Sequence, residues 1–302
     1  MVLPEPPQPT VTTCYRHPDR ETGRRCTRCG KPACSECLTQ AAVGSHCPDC
    51  VKAAQPDLKT RVKYANARQN TLVTYVLIAI NAAVFVWVAV GNSSAFGQSF
   101  GRASAITARQ FEIGLNPFIL RNGATVPGVG TFEPHEWYRL VTSGFLHFGI
   151  LHILLNMYLL YLLGQMLEPV LGRTRFTLLY FAALLGGSAG VLILSGANDI
   201  TTSGGASGAV FGLMGAAAIS MHQRGVNILQ TGVGRTLLLN LVFTFLIPGI
   251  SIGGHVGGVV VGGICGAVML APKWKSFPKW STYAAPIVMA AVAVAICVVR
   301  VA

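Results

Sequence analysis

The sequence predicts an all-α polytopic membrane protein with a small zinc-binding domain before its first membrane span. Hydrophobic residues make up 52% of the 302 positions and charged residues 11%, and the charged share is about half that of a typical soluble domain. Apolar stretches recur from residue 71 onward, each near the length needed to cross the hydrocarbon core of a bilayer. Seven of the nine cysteines, in contrast, lie between residues 14 and 50. These patterns separate a cysteine-rich head from a membrane-spanning part.

The head is predicted to hold two zinc ions. Residues 1–13 are rich in proline, and we expect them to be disordered. The segments CYRH, CTRC, CSEC and CPDC follow within residues 14–50, and each places two ligand side chains three positions apart. Such pairs form the short chelating turns of tetrahedral zinc sites, and eight ligands fill two sites. The predicted ligands are Cys14, His17, Cys26, Cys29, Cys34, Cys37, Cys47 and Cys50.

A disulfide framework is the competing interpretation of these cysteines. The topology inferred below puts the head in the cytoplasm, where thiols stay reduced, and this favours zinc. The pairing order is open: interleaved sites would resemble B-box or RING-like modules, and consecutive sites would resemble paired zinc ribbons. His46 could also replace its neighbour Cys47 as a ligand. Because all positions are filled by protein ligands, we expect structural sites and a cytoplasmic protein partner rather than catalysis in the head.

Seven candidate membrane spans follow a basic linker at residues 51–70. Lys and Arg group in the connections after the second, fourth and sixth spans, and none occurs at 196–205 or 250–251. By the positive-inside rule the N-terminus is cytoplasmic, and the 91–148 loop and the C-terminus lie outside. Because no organelle-targeting segment is recognised, we expect location in the plasma membrane. The net charge of +12 is then a topology signal, and no nucleic-acid partner is expected. The spans are about 71–90, 149–168, 176–195, 206–221, 236–249, 252–271 and 282–299.

Few polar side chains lie inside these spans, and each is therefore a functional candidate. His152 and Asn156 are four residues apart in the second span, so they project from one face of its helix. His255 lies near the start of the sixth span, and Ser207 opens the fourth. We expect Ser207 in the first helical turn, where unpaired N–H groups and the positive end of the helix dipole favour a developing oxyanion.

Small residues recur every four positions along the fourth and sixth spans, and such stripes let two helices approach closely in lipid. On the predicted topology both helices enter from the same side, so Ser207 and His255 lie at similar depth and would form a nucleophile–base pair. Neither span contains Asp or Glu, which indicates a dyad rather than a triad. The stripes consist of Gly204, Gly208, Gly212, Ala216 and Ser220 and of Gly254, Gly258, Gly262 and Gly266.

Three stretches resemble the rhomboid family of intramembrane serine proteases. FLHFGILHILLN, GGASGAVFGLMG and GGHVGGVVVGG are similar to the family's His-x3-Asn, Gly-x-Ser-Gly and His-x2-Gly-x3-Gly motifs. HEWYRLVTSGFLH resembles its tryptophan–arginine element, although Tyr138 separates Trp137 from Arg139 here. The resemblance covers roughly residues 70–271 and implies a six-helix core at 71–271. The loop and seventh helix at 272–302 resemble the six-plus-one arrangement of some members.

The resemblance also implies a set of roles. Ser207 would attack the peptide carbonyl of transmembrane protein substrates in the lipid bilayer, with His255 as general base and then general acid and no cofactor for catalysis. His152, Asn156 and the N–H of Ser207 would line the oxyanion hole. The residues expected to support the site are Gly205, Gly208, Phe211 and Gly258, and Phe211 matches a position where a tyrosine often packs against the imidazole.

Two other functions are weighed against the protease. A non-catalytic adaptor on the same scaffold would bind transmembrane segments and recruit partners through the zinc module. Retention of Ser207, His255, His152 and Asn156 favours the protease over this alternative. A transporter or channel is disfavoured, because the second span alone carries a carboxylate, Glu168, at its end.

Overall fold

The computed structural model describes residues 12–41, 43–55, 71–91, 108–196, 198–247, 249–272, 274–275 and 277–302. The chain forms two compact units, Met1–Arg68 and Gln69–Ala302. Residues 1–11 of the N-terminal segment predicted to be disordered lie outside the described residues. Thr13 was included in that prediction but pairs with Glu21 in a short β-hairpin. Most of the predicted linker, residues 56–70, also lies outside them.

The first unit consists of short hairpins and one helix. The helix begins with proline at its first position, where the missing N–H costs no hydrogen bond. It continues through residues 51–54, which belong to the stretch predicted to be a linker. The elements are β1 (Thr13–Cys14) paired with β2 (His17–Glu21), a 3-10 turn (Ser35–Cys37), β3 (Thr39–Gln40) paired with β4 (Ser45–His46), and α1 (Pro48–Ala54).

Most of the described residues of the second unit are helical. All seven predicted spans are apolar helices, with ends within four residues of the predicted ones, so the polytopic all-α fold is confirmed. The elements are α2 (Leu72–Gly91), α3 (Ala108–Ile113), α4 (Pro117–Asn122), β5 (Ala124–Val126) paired with β6 (Gly130–Phe132), α5 (Arg139–Thr142), a 3-10 turn (Ser143–Phe145), α6 (Ile150–Leu171), α7 (Arg173–Leu194), α8 (Ser207–His222), a 3-10 turn (Ile228–Gln230), α9 (Gly232–Leu246), α10 (Ile252–Met269) and α11 (Ser281–Val301).

Helix α10 packs against α8 through backbone contacts between glycines. A β-carbon added to Gly258 would overlap the carbonyl oxygen of Gly208, and one on Gly262 would overlap that of Gly212. Farther along, a β-carbon on Gly266 would lie 2.5 Å from the Cα of Ala216. The two small-residue stripes therefore meet as the sequence predicted, and the approach is too close for any side chain between the helices.

A second glycine contact, which is not among the predictions from the sequence, joins α10 to α7. A β-carbon on Gly253 would overlap the carbonyl oxygen of Gly190, and one on Gly257 would overlap that of Gly186. Both pairs have the four-residue spacing of small-residue interfaces in membranes. Helix α10 is therefore in backbone contact with two neighbours.

The segment between α2 and α6 is an ordered part of the second unit within residues 108–148. Its buried Arg139 donates from Nε to the Glu136 carboxylate at 2.7 Å and from Nη1 to the Gly114 carbonyl at 2.9 Å. Leu115 forms two backbone hydrogen bonds with Ser203, of 2.9 and 2.8 Å. The sequence predicted only a loop here, whereas this segment is attached to the residues that lead into α8.

The fully buried Glu168, near the end of α6, caps the start of α2. Its carboxylate accepts hydrogen bonds from the N–H groups of Val73 and Thr74, both at 2.9 Å, and from the Thr74 hydroxyl at 2.6 Å. The N–H groups of a first helical turn lack partners within the helix, and the positive end of the dipole favours an anion there.

We expect Glu168→Gln to lower the free energy of unfolding by ~2 kcal/mol, because the amide would turn an NH₂ group toward these donors. The measurement is thermal unfolding in detergent. Glu133→Gln is the matched control, since Glu133 is exposed in the same unit. Equal melting temperatures for the two variants would contradict the capping role.

Candidate active site and metal clusters

Ser207 is the first residue of α8 and is half-buried. The approach to it is fixed by backbone contacts, because the Gly205 N–H donates to the Ser143 carbonyl at 2.8 Å. The next N–H, that of Ala206, points at Nε2 of His147 at 3.5 Å. Gly205 has φ of +134°, and a β-carbon on it would lie 2.8 Å from Nε2 of His152 and 3.6 Å from Oγ of Ser207. Only glycine suits this position, since it lets the His152 ring lie beside the serine.

The hydrogen bonds of His152 determine which of its ring nitrogens carries the proton. Its Nδ1 accepts a hydrogen bond from the N–H of Phe148 at 3.2 Å. In the neutral imidazole the other nitrogen, Nε2, then carries the hydrogen. Nε2 lies next to Gly205, on the side of the ring where Ser207 lies.

Asn156 is buried one turn after His152 on α6. Its Nδ2 donates to the His152 carbonyl oxygen at 3.0 Å. An amide carries two N–H bonds, so a second hydrogen remains beyond this intrahelical bond.

His255 is fixed in both the plane and the rotation of its ring. Its ring stacks on Phe211, with centroids 3.9 Å apart and planes 16° apart. Its Nδ1 lies 2.6 Å from the Thr244 hydroxyl. Phe211 follows Ser207 by one helical turn, so the imidazole lies beside the face of α8 that carries the serine.

Within the described residues, no hydrogen bond joins the Ser207 hydroxyl to His255. A cavity of about 40 Å³ reaches Ser207, and the imidazole is not among its lining groups. This volume admits about two or three water molecules. Other hydroxyl-bearing residues along the cavity are Ser143, Ser188, Ser203 and Ser251.

The predicted metal ligands form two interleaved clusters in the first unit. Within each cluster, one ligand atom per residue lies within 4.8 Å of every other. His46, which pairs with Thr39 between β4 and β3, belongs to neither cluster. The clusters are Cys14, His17, Cys34 and Cys37 in one and Cys26, Cys29, Cys47 and Cys50 in the other. The pairing order left open by the sequence is therefore the interleaved one.

Interatomic distances in the clusters suit tetrahedral zinc. Nδ1 of His17 lies 3.8, 3.5 and 3.4 Å from the Sγ atoms of Cys14, Cys34 and Cys37. Zn–S bonds of about 2.3 Å and Zn–N bonds of about 2.0–2.1 Å give tetrahedral S···N edges of about 3.6 Å. In the other cluster Sγ of Cys29 and Cys47 are 3.6 Å apart, near the S···S edge of about 3.8 Å.

Thiol ionisation in the clusters also favours a cation. Burial raises the pKa of Cys14, but N–H groups of Cys34, Arg16 and His17 outweigh it and bring the pKa to about 6. In the other cluster, the hydrogen bond with Cys29 and burial raise the pKa of Cys50 to about 12. Some thiolates therefore form readily, and a bound cation would allow the remaining sulfurs to ionise with them.

Thr244, which contacts His255, is not among the site residues predicted from the sequence. The available signal was a hydroxyl inside the predicted fifth span, the same kind of signal that singled out Ser207. Hydroxyls in membrane helices commonly bond to the carbonyl four residues earlier, and the sequence could not separate that role from contact with another helix.

Known proteins are similar to this chain over the region that contains the candidate active site. Residues 134–272 match the family model of the rhomboid domain, and this range contains Ser207, His255, His152 and Asn156. The rhomboid protease GluP of Bacillus subtilis (strain 168) is 35% identical over 147 residues, 48% of this chain and 28% of the relative. RHOMBOID-like protein 6, mitochondrial, of Arabidopsis thaliana is 31% identical over 56% of this chain and 59% of its own length.

A third relative is named inactive. Inactive RHOMBOID-like protein 8 of Arabidopsis thaliana is 28% identical over 64% of this chain and 58% of its own length. The chain thus spans less than two thirds of each of these relatives. The family model and the relatives together show that residues 134–272 of this chain form a rhomboid domain.

Proposed function

We propose that this protein is an intramembrane serine endopeptidase that uses Ser207 and His255 as a catalytic dyad. The observation that carries the proposal is the convergence on Ser207 of a helix N-terminus, the Nε2 side of His152 and, one turn along α8, a constrained imidazole. These are a nucleophile, anion-stabilising donors and a base, the parts that acyl transfer requires.

In the proposed reaction Oγ of Ser207 attacks the carbonyl carbon of the scissile peptide, and Nε2 of His255 takes the hydroxyl proton. The N–H of Ser207, Nε2–H of His152 and the free amide hydrogen of Asn156 stabilise the tetrahedral oxyanion. The C–N bond then breaks as His255 returns the proton to the leaving amine, which gives an acyl-enzyme. Ser207 must turn toward His255 when substrate binds, as catalytic hydrogen bonds often form fully only in the complex.

Water is needed to hydrolyse the acyl-enzyme inside the membrane. The cavity beside Ser207 has room for about two or three molecules, and its serine hydroxyls offer hydrogen bonds to them. A water held there would attack the acyl carbonyl with His255 as base and release the free carboxylate.

The substrates in this proposal are transmembrane segments of other proteins, approached through the bilayer. The basic connections support a cytoplasmic N-terminus and an external C-terminus. Location in the plasma membrane is part of the same proposal. The zinc module would then contact a protein partner in the cytoplasm.

A direct test is reaction of the purified, membrane-reconstituted protein with a fluorophosphonate, a reagent that attaches to activated serines. We expect the modification on the peptide that contains Ser207, together with hydrolysis of one peptide bond in a reporter transmembrane segment. A folded protein that neither reacts at Ser207 nor cleaves any reporter would contradict the proposal.

The second candidate is a rhomboid-like adaptor that binds transmembrane segments without cleaving them. The similarity to a relative named inactive favours this second function. In that case the reconstituted protein would bind a reporter transmembrane segment without cleaving it, and Ser207→Ala would not change that binding.

We further propose that the two clusters of the head bind structural zinc. The apolar cluster of this unit is small and made largely of the ligands themselves, so ion binding would supply much of its folding free energy. Its members are Cys14, Ala33, Cys34 and Cys37, with Tyr15 and Leu38 packed against them.

Elemental analysis of the full-length protein should find two zinc ions per chain, one for each cluster. Cys14→Ser and Cys26→Ser should each remove one ion, since they belong to different clusters. His46→Gln is the matched control and should retain both ions, because His46 belongs to neither cluster. Loss of zinc in the His46 variant, or its retention in both cysteine variants, would overturn the assignment.

A further inference from the structure

Thr244 connects α9 to the imidazole of His255. Both side chains are buried, with 2% and 8% of their surfaces exposed. The Thr244 Oγ1 to His255 Nδ1 distance is 2.6 Å, a short hydrogen bond. Within α9 only Gly234 and Thr244 are fully buried, so this contact occurs where the helix reaches the interior.

A second hydrogen bond decides the direction of the first. Oγ1 of Thr244 also lies 2.8 Å from the backbone carbonyl oxygen of Asn240, one turn earlier on α9. A carbonyl oxygen only accepts, so both contacts can be hydrogen bonds only if the single hydroxyl hydrogen of Thr244 is donated to the Asn240 carbonyl. The bond to His255 then needs the hydrogen on the ring: Nδ1–H donates, and the Thr244 oxygen accepts.

We propose that Thr244 is a positioning residue that fixes the Nδ1–H tautomer of His255. With the hydrogen on Nδ1, the lone pair is on Nε2, the nitrogen that must take the proton of Ser207. A carboxylate performs this task in a Ser–His–Asp triad. The inference rests on the proposed function, in which His255 is the base.

Phe211 and Thr244 constrain different motions of the same ring. Stacking on Phe211 holds the plane of the imidazole. The bond to Thr244 opposes a 180° rotation about the Cβ–Cγ bond, which would put Cδ2 in the place of Nδ1 and Cε1 in the place of Nε2. Without the Thr244 oxygen, both tautomers and both ring orientations become available, and only part of the population can act as base.

The first test is spectroscopic and needs no loss of activity. Imidazole ¹⁵N shifts distinguish protonated from unprotonated nitrogens, and the His255 signals are identified by their disappearance in His255→Ala. In the wild-type protein we expect Nδ1 of His255 to be protonated and Nε2 to be unprotonated at neutral pH. The opposite result, an unprotonated Nδ1 and a protonated Nε2, would overturn the inference.

The second test is kinetic. Thr244→Val removes the oxygen with little change of shape, and we expect kcat to fall about 10- to 100-fold with KM nearly unchanged. Thr244→Ser keeps a hydroxyl and should retain activity within about threefold, because a neutral group of the same type can accept the same hydrogen bond. Thr236→Val, two turns earlier on α9, is the matched control and should behave as wild type.

The outcomes separate this inference from the proposed function. Wild-type kcat in a folded Thr244→Val variant, alongside an inactive Ser207→Ala, would overturn the inference and leave the protease intact. Cleavage that does not depend on Ser207 would remove the protease. If Thr244→Val does not fold, the wild-type tautomer and the activity of Thr244→Ser decide the question.

Discussion

Ser207→Ala should reduce cleavage of a reporter transmembrane segment to background. Removing the nucleophile of a Ser–His pair in a soluble protease costs about 10⁶-fold in kcat, and the dyad proposed here has the same division of labour. His255→Ala should cost about as much, and the double variant little more, because the two groups act as one unit. Asn156→Ala should be milder, at about 10²- to 10³-fold, since one oxyanion donor is lost.

The measurement is cleavage by purified variants in liposomes, with thermal unfolding recorded on the same samples. Ser220→Ala makes the same chemical change at the other end of α8 and serves as the control. Cleavage by Ser207→Ala at the rate of the Ser220 control would refute the assignment of the nucleophile.

Gly262→Ala should destabilise the membrane unit by about 3 kcal/mol and strongly reduce cleavage, although it adds a single methyl group. The added carbon would overlap the carbonyl oxygen of Gly212, and a backbone atom cannot rotate aside as a side chain can. Helices α8 and α10 would have to separate, and this would move Ser207 relative to His255. Misplacement by about 1 Å can cost about 10²-fold in rate.

The neighbouring position offers a matched control. A β-carbon on Gly263 has no atom within 4 Å, so Gly263→Ala makes the same change on the same helix without a clash. We expect it to melt at or slightly above the wild-type temperature, because alanine favours helix more than glycine. Equal melting temperatures and cleavage rates for the two variants would show that close packing at Gly262 has no bearing on stability or activity.

Much of the membrane fold follows from the sequence, because burial in lipid dictates where apolar helices run. The stripes at Gly258 and Gly262 even identified which helices meet. The contact of α7 with α10 was missed although Gly186 and Gly190 carry the same spacing. Small residues at every fourth position show that a helix can approach another closely. When several helices carry this pattern, it does not determine which of them are in contact.

The candidate site shows the same limit. Ser207, His152 and His255 are recognisable because polar groups are costly in hydrocarbon. Thr244 is not, since its hydroxyl is satisfied within its own helix and its second bond depends on how α9 and α10 pack. The predicted metal ligands likewise follow from their spacing, whereas their interleaved grouping depends on how the chain folds back on itself.

The double glycine contact of α10 has a mechanical consequence. Backbone pressed against backbone on two sides leaves no pliable side chains to absorb displacement, so α7, α8 and α10 should behave as one stiff block. If a polypeptide is to enter the bundle, the element that can move most easily is then α9, because most of its residues are exposed. A polypeptide that enters by displacing α9 would strain the hydrogen bond between Thr244 and His255. In the proposed protease, substrate entry and the orientation of the base would then be coupled through the Thr244 hydroxyl oxygen.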